Sequence, residues 1–382
     1  VSAGTESAIL VSASPRNRTE QEEHLEELSE LAESAGVRVL DRIVQRTQDG
    51  YERYLLGKGK LKEMVMRALQ KGADLIIFDQ DLAPAQARAI SEVTDIKVID
   101  RTQLILDIFA RRAHTREGKV QVELAQLRYL LPRLLGHGTS LSRLGGGIGS
   151  RGPGETKLET DRRRIRDRIA HLERDITDVA RHQDQRRARR IRQGLPILSI
   201  VGYTNAGKST LLNALTHSEI PAQDRLFETL DTTSRRLRFP HDREVIVTDT
   251  VGFIRDLPKD LVGACLTPLD ELRDANLLLH VVDASADDID QQIKAVDDIL
   301  QSLNMDTIPR VMVLNKCDRL TAQEIRVLCA RYHAIGISAL DRDSVRPLIA
   351  HLETLLPAVP SPPAPAEHPD QPPQDLALAS HS

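Results

Sequence analysis

Eight residues near the middle of the chain have the spacing of a phosphate-binding loop. They are Gly202, Tyr203, Thr204, Asn205, Ala206, Gly207, Lys208 and Ser209. A strand-like run, residues 197–201, precedes them, and a helix-like run begins at Thr210. Backbone N–H groups of such a loop surround a polyphosphate, and the helix N-terminus adds its positive dipole. We expect Lys208 to reach the outer phosphates and Ser209 to bind Mg²⁺. The flanking strand and helix favour this interpretation over a plain turn of small residues.

A second loop, Asn315-Lys316-Cys317-Asp318, follows the strand-like run 311–314 and has the pattern of a guanine-recognition loop. The Asp318 carboxylate can accept hydrogen bonds from guanine N1–H and from the N2 amino group. Adenine offers no such pair of donors, so the wrong base would leave the carboxylate unsatisfied. The short loop that matches the backbone support of guanine O6 comprises Ser338, Ala339 and Leu340.

Two segments between these loops have the pattern of nucleotide-dependent switches. Asp249 follows a strand-like run and would hold Mg²⁺ through water, while the Gly252 N–H would contact the γ-phosphate. The segment 227–233 would supply the threonine of switch I. Thr229 is favoured by its match to related GTPases, and Thr232 and Thr233 compete with it. The order of these motifs is that of a translation-factor-type G domain.

Phe253 follows Gly252 at the position where many GTPases have the glutamine that orients the attacking water. An aromatic ring cannot position water by hydrogen bonds. We therefore predict slow intrinsic hydrolysis, accelerated by a partner or an ion that supplies the missing charge stabilisation. Asn205 is a candidate ligand for a monovalent cation such as K⁺ near the β/γ bridge; the alternative is that Asn205 only braces the loop.

Composition and cysteine usage fit a protein of the reducing cytosol. The 382 residues are enough for two or three domains with their own cores. The three cysteines, Cys265, Cys317 and Cys329, have no paired or metal-ligand spacing. No apolar run is long enough to cross a bilayer, and the N-terminus has no signal-peptide pattern. A start at Val1 rather than Met is consistent with processing or an incomplete N-terminus.

The net charge of −4 hides an asymmetry between the two halves of the chain. Residues 1–193 carry 35 Lys and Arg against 29 Asp and Glu, whereas residues 194–382 carry 17 against 27. Much of the excess lies in the helical pattern 158–192, whose apolar residues recur at three- and four-residue steps. Its arginines, including Arg162, Arg163 and Arg166, are candidate RNA contacts. The alternative is a solvated helix with intrahelical ion pairs.

The region before this helix has the alternating pattern of a small α/β domain. Strand-like runs lie at 8–11, 37–40, 75–78 and 97–100, and helix-like runs lie at 21–34, 61–71 and 83–93. This alternation predicts a mostly parallel sheet covered by helices. Residues 102–131 then have a helical pattern, with an interruption expected near Glu117 and Gly118.

A glycine-rich segment, residues 144–156, precedes the arginine-rich helix. Arg143 lies directly before this segment, and Arg151 lies within it. Glycine-rich backbone can approach phosphates and bases closely, so we favour a basic loop that RNA contact orders. A flexible linker is the main alternative. A second nucleotide site is disfavoured because no strand precedes the glycines.

Several strings of this chain resemble the HflX family of GTPases. They are YLLGKGK at 54–60, DIFA at 107–110, TREGKVQVELAQL at 115–127, GETKLETD at 154–161 and DTVGFI at 249–254. The resemblance spans roughly residues 8 to 357. It implies binding to the large ribosomal subunit and its rRNA, and the splitting of stalled or idle ribosomes in the GTP state, notably under heat stress. It also implies that the glycine-rich loop reaches toward the peptidyl-transferase region.

The chain departs from the family pattern after switch II and at its end. Pro268 stands within a segment that is helical in the family, and a mid-helix proline costs about 3 kcal/mol. A kink at Pro268 would uncouple switch II from the ribosome. The alternative function is then a GTP-gated ribosome- or RNA-binding module with little productive hydrolysis. The end of the chain, residues 359–382, is rich in proline and lacks Lys and Arg, so we expect a disordered tail.

The sequence thus predicts an α/β protein in four parts. These are an N-terminal α/β domain (1–115), a helical hairpin or coiled-coil subdomain (116–193), a P-loop G domain with a mostly parallel sheet (194–358) and the tail (359–382). We expect a GTP hydrolase that uses Mg²⁺, bound by Ser209, Thr229 and Asp249, and that is a cytoplasmic monomer. Lys208, Thr229, Gly252 and Asn205 are its candidate catalytic residues.

Overall fold

The computed structural model describes residues 6–47, 53–134, 153–216, 226–227, 233–239, 241, 243–257 and 271–356. Within the helix that begins at Pro153, the side chains of residues 159–179 are described. The predictions for Arg143, Arg151, Thr229, Pro268 and the tail lie outside these residues.

The N-terminal unit is a parallel sheet with helices on both faces. Its elements are β1 (Ser7–Ser14), α1 (Arg18–Ser34), β2 (Arg38–Arg46), α2 (Lys58–Lys71), β3 (Leu75–Phe78), α3 (Pro84–Thr94) and β4 (Lys97–Asp100). The strand order is β2-β1-β3-β4, and every described pair is parallel. All eight residues of β1 are buried, as expected for a central strand that is covered on both faces. The predicted alternation is confirmed.

Two helices complete this unit: α4 (Arg101–Arg112) and α5 (Arg116–Leu134). The predicted interruption exists, but it lies at residues 113–115 and not at Glu117–Gly118, which belong to the first turn of α5. The Gly118 N–H donates to Thr115 Oγ1 at 3.0 Å, so Thr115 caps the new helix. The capping residue, rather than the glycine, determines where the helix restarts.

The arginine-rich segment forms one helix, α6 (Pro153–Gln193), which packs beside α5. Leu172 on its apolar stripe is fully buried. Two ion pairs join α6 to α5: Arg168 donates twice to Glu123 at 2.7 Å, and Arg128 donates to Glu173 at 2.7 Å. These pairs are about half exposed, so each stabilises the contact by less than about 1 kcal/mol.

The C-terminal unit is a six-stranded sheet with helices around it. Its elements are β5 (Ile197–Gly202), α7 (Lys208–Thr216), β6 (Thr233–Arg238), β7 (Glu244–Asp249), β8 (Leu277–Asp283), α8 (Ile289–Ser302), β9 (Arg310–Asn315), α9 (Ala322–Tyr332), β10 (Ile335–Gly336) and α10 (Arg342–Leu355). The order is β10-β9-β8-β5-β7-β6, and among the described strands only β6 runs antiparallel to its neighbour. The predicted mostly parallel sheet is confirmed. None of the described helices combines the length and apolar composition that a bilayer crossing requires.

One apolar cluster is shared by the two units. It joins N-terminal residues such as Leu28 and Phe109 to Tyr203, Phe227 and Ile254 of the C-terminal unit. The phosphate loop (Tyr203), the start of switch I (Phe227) and switch II (Ile254) therefore pack against the N-terminal unit as well as against their own sheet.

His280 in β8 gives a prediction about acid stability. Its side chain is fully buried, and both ring nitrogens lack a hydrogen-bond partner. Burial, together with the positive charges of Arg310 and Lys208, lowers the pKa of His280 to about 3. An unfolded histidine has a pKa of about 6.5, so between these values the unfolded chain binds a proton that the folded protein excludes. Stability contributed by neutral His280 is therefore lost as the pH falls below about 6.5.

We expect His280→Leu to lose less stability than the parent protein between pH 7 and pH 5. The difference should be roughly 1–2 kcal/mol, because linkage gives at most about 1.4 kcal/mol per pH unit. Urea unfolding at several pH values measures it. The exposed His351 provides the control His351→Leu, which should follow the parent curve. Equal pH dependence of the His280 variant and the parent would contradict this account.

Candidate functional site

The predicted phosphate loop connects β5 to α7, which begins at Lys208. Two of its glycines are required by close approaches. A Cβ on Gly202, whose φ is +155°, would lie 2.2 Å from the carbonyl oxygen of Val281. A Cβ on Gly207, whose φ is +88°, would lie 2.3 Å from Asn315 Nδ2. Neither position accepts a side chain without moving backbone or the buried Asn315, so this glycine spacing is structurally enforced.

Lys208 is buried, and its Nζ donates to the carbonyl oxygen of Tyr203 at 2.7 Å. The side chain thus folds back over the loop, toward the space that phosphates occupy in such sites. Burial lowers the pKa of Lys208 to about 8, although the nearby Asp249 carboxylate opposes this shift. A polyphosphate would add the negative charge that a buried ammonium group requires.

Ser209 and Asp249 meet beside the loop, as the proposed Mg²⁺ site requires. The Ser209 hydroxyl donates to Asp249 Oδ2 at 2.6 Å, and Asp249 is the last residue of β7. Hydroxyl and carboxylate oxygens are the hard ligands that Mg²⁺ prefers, so the two residues fit this ion. Among the described residues no three His, Cys, Asp or Glu side chains are grouped to hold a metal. A magnesium ion here would take its other ligands from phosphate oxygens, from water and from the predicted Thr229, which lies outside the described residues.

Asn315 connects the phosphate loop to the two base-recognition loops. Its Nδ2 donates to the carbonyl oxygen of Ala206 at 2.9 Å, and its Oδ1 accepts from the Ala339 N–H at 2.9 Å. The Ser338 carbonyl and N–H both bond to the Ser344 hydroxyl, which fixes the second loop. Asn315 therefore couples the phosphate end of the site to the base end.

The remaining base-recognition residues lie in the loops that follow β9 and β10. Lys316, in a left-handed conformation, places its Nζ 2.7 Å from Asp283 Oδ2. Asp318 lies in a 3₁₀ turn and is exposed. Leu340, in the second loop, is also exposed. The structure thus places Asp318 where its carboxylate is accessible to a base.

Switch II is packed onto the phosphate loop. A Cβ on Gly252 would lie 2.9 Å from Thr204 Cα and 3.1 Å from Lys208 Nζ. The Thr204 N–H donates to the Phe253 carbonyl at 2.7 Å, and the Phe253 N–H donates to the Gly202 carbonyl at 3.1 Å. The Phe253 ring is buried in the apolar cluster around Val296. Phe253 is therefore an anchor for switch II, and its ring does not point at the phosphate loop's open side.

Asn205 adopts a left-handed conformation with φ +62° and lines a cleft of about 370 Å³. The cleft lies between α1 and the phosphate loop, and acidic residues such as Glu23, Glu26 and Asp287 dominate its walls. Whether Asn205 binds K⁺ or braces the loop stays a prediction with two alternatives.

The candidate RNA-binding arginines of α6 are only partly described. Arg163 and Arg166 are exposed, and Arg162 is half-buried. Arg168, by contrast, is engaged with Glu123 of α5. Exposed guanidinium groups on one helix are compatible with phosphate contacts.

Three residues that contact this site were not predicted from the sequence. Glu27 of α1 accepts from the Tyr203 hydroxyl, Arg255 of switch II is bonded to Glu27, and Asp283 pairs with Lys316. One signal for Glu27 was available. The buried face of α1 carries the polar residues Gln21, His24 and Glu27 at three-residue spacing among leucines, which is unusual for a simple core face.

Three family models match consecutive parts of the chain. A model described as the N-terminal part of a GTP-binding GTPase matches residues 22–110, and one for its middle region matches residues 112–190. A model described as a 50S ribosome-binding GTPase matches residues 197–316.

Curated relatives match over most of their length. A GTPase HflX from Caldanaerobacter subterraneus subsp. tengcongensis is 51% identical over 317 residues, which cover 82% of this chain and 73% of the relative. A GTPase HflX from Escherichia coli K12 is 47% identical over 305 residues, covering 80% and 72%. Among solved structures, a GDP complex of SsGBP has a TM-score of 0.52 at 22% identity, covering 92% of this chain and 98% of that one. The last likeness concerns the fold alone.

Proposed function

Because this chain belongs to the HflX family of GTP-hydrolysing enzymes, we propose that it binds the large ribosomal subunit and, in its GTP state, splits stalled or idle ribosomes. GTP and GDP are then substrate and product, and Mg²⁺ is held by Ser209, Thr229 and Asp249. We further propose a cytoplasmic monomer that acts in stress-linked ribosome recycling, with the four-part domain division given by the sequence.

The observation that carries the proposal is the convergence at the phosphate loop. Lys208, the Ser209–Asp249 pair and the Asn315 bridge are arranged as nucleotide binding requires. The model that matches this unit is described as a 50S ribosome-binding GTPase, which supports a ribosomal partner. The exposed arginines of α6 are the proposed rRNA contacts.

A second function is a GTP-gated binding module with little turnover. It is favoured by the sequence after switch II, where Pro268 stands within a segment that is helical in the family and would uncouple switch II from the ribosome. In that case the nucleotide would still determine ribosome affinity, but the subunit would not accelerate hydrolysis.

Turnover of GTP with and without purified large ribosomal subunits separates the two functions. We expect the large subunits to raise turnover at least tenfold, since added electrostatic stabilisation of the transition state gives about 10²-fold or more in related reactions. Small subunits are the matched control, and potassium is exchanged for sodium in parallel. Binding of GTP-loaded protein to large subunits without faster turnover supports the gated module. Absence of binding in both nucleotide states contradicts both functions.

A further inference from the structure

Two of the three cysteines lie next to each other at the guanine-recognition loop. Cys317 belongs to that loop, and Cys329 lies on α9. A Cβ placed on Gly336 of β10 would lie 3.0 Å from Cys329 Sγ and 3.3 Å from Cys317 Sγ, so both sulfur atoms border the same point. Both side chains also pack in one apolar cluster with Leu314. Their spacing in the sequence did not indicate this pair.

Both cysteines are thiols at rest. Cys317 is buried, and Cys329 is half-buried. The Cys317 thiol donates to the carbonyl oxygen of Leu314 at 3.3 Å. Burial raises the pKa of both thiols, and the neighbouring Cys329 raises the pKa of Cys317 further. The reactive thiolate form is therefore scarce, so we expect oxidation of this pair to be slow.

Cys317 is connected directly to the residue that would recognise guanine. Cys317 and Asp318 share one 3₁₀ turn. The Cys317 N–H donates to the carbonyl oxygen of Ile337 at 3.0 Å. On the other side of Cys317, Lys316 has a left-handed φ of +62° and places its Nζ 2.7 Å from Asp283. A movement of the Cys317 side chain therefore reorients the short turn that carries Asp318.

The helix that carries Cys329 is anchored at both ends. At its start, the Thr321 N–H donates to Glu324 Oε2 at 2.8 Å, and the Glu324 N–H donates to Thr321 Oγ1 at 3.3 Å. At its end, Arg331 and Tyr332 donate to Asp290 of α8 at 2.7 and 2.8 Å. A short 3₁₀ turn has fewer and poorer hydrogen bonds than an α-helix. If the two sulfur atoms are drawn together, the turn moves rather than the helix.

We propose that hydrogen peroxide converts Cys317 and Cys329 to a disulfide bond, and that this bond weakens guanine-nucleotide binding by turning Asp318 away from the base. The sulfur atoms of a disulfide are closer than those of two separate thiols, so the bond requires the movement described above. The proposal concerns regulation of the nucleotide site. It rests on the GTP binding of the proposed function and not on ribosome splitting.

The oxidation proceeds in two steps. The more accessible Cys329 sulfur attacks one peroxide oxygen: an S–O bond forms, the O–O bond breaks, and the leaving hydroxide takes the thiol proton as water. The Cys317 sulfur then attacks the resulting sulfenic acid: the S–S bond forms, the S–O bond breaks, and a second water leaves with the Cys317 proton. The two thiols lose two electrons, and the peroxide gains them.

The test treats the whole nucleotide-free chain with millimolar hydrogen peroxide, removes the peroxide with catalase and measures affinity for a fluorescent GDP analogue. We expect affinity to fall about tenfold or more, as when a hydrogen bond to a charged group is lost, and to return with dithiothreitol. Saturating GDP during the peroxide step should slow the loss, because a base held by Asp318 opposes movement of the turn. Trypsin digestion without reduction should yield residues 317–319 linked to residues 327–331.

Two variants serve as controls. Cys329→Ser removes the pair without changing the recognition loop, so its affinity should stay within about twofold of the reduced parent before and after peroxide. Cys265→Ser keeps the pair and should lose affinity as the parent does. Absence of the linked peptide, its formation without loss of affinity, or an equal loss in Cys329→Ser would overturn the proposal. A reduced parent protein that does not bind GDP would contradict the proposed function itself, which separates that failure from a failure of the disulfide.

Discussion

Lys208→Ala is expected to reduce GTP turnover roughly 10²–10³-fold, because Lys208 is the only lysine among the phosphate-loop residues 202–209. The Nζ of Lys208 donates to the Tyr203 carbonyl of the loop, and we expect its charge to interact with the outer phosphates of a bound nucleotide. Affinity for GTP should fall as well, since the ammonium group interacts with the ground state and the transition state alike. Single-turnover hydrolysis with saturating and subsaturating GTP measures both effects.

The stability of the empty protein distinguishes this loss from unfolding. Burial disfavours the charged form of Lys208, as its lowered pKa of about 8 shows. Removal of a buried ammonium group should therefore leave the unliganded protein at least as stable as the parent. The parent, but not Lys208→Ala, should gain thermal stability when GDP and Mg²⁺ are added. A variant that still gains stability and hydrolyses GTP normally would remove Lys208 from the site.

Asp318→Asn is expected to change the preferred base from guanine to xanthine. The carboxylate accepts from guanine N1–H and N2, whereas an asparagine amide accepts from N1–H and donates to the xanthine O2. Aspartate with xanthine and asparagine with guanine each leave a polar group unpaired. The ratio of XTP affinity to GTP affinity should therefore rise about 10³-fold or more in Asp318→Asn. Competition of unlabelled GTP and XTP against a fluorescent nucleotide measures the ratio.

Asp306→Asn is the matched control for this change. Asp306 is an exposed aspartate in the loop before β9, in the same unit as Asp318. It should leave the preference for GTP unchanged. If Asp318→Asn lowers the affinity for both nucleotides equally, Asp318 supports the loop but does not recognise the base.

The sequence was sufficient for the parts of this fold that depend on local patterns. The alternating apolar runs predicted both sheets, and the phosphate loop was placed between the strand and the helix that flank it in the structure. Strand and helix patterns are local in sequence, and glycine spacing reflects close backbone approaches such as that of Gly207 to Asn315. These features can be inferred without knowing which distant segments meet.

Contacts between distant segments could not be inferred in the same way. Glu27 and Arg255 are far apart in sequence, and their pairing depends on how the N-terminal unit packs on switch II. Asn315 was assigned to the base, and its bridge to Ala206 became visible only in three dimensions. The break between α4 and α5 was predicted near Gly118 because glycine disfavours helices. In the structure the helix instead restarts where Thr115 caps it.

The packing of Phe227 against Phe109 also has a consequence for inheritance. A G domain that completes the apolar core of its neighbour cannot be exchanged between proteins as an independent module. If the N-terminal unit were deleted, the rings of Phe227 and Tyr203 would lose the surface that covers them. The remaining fragment would then expose an apolar, aggregation-prone patch next to its nucleotide site. Gene fusions or truncations at this junction should therefore be rare, and the two units should acquire compensating substitutions together.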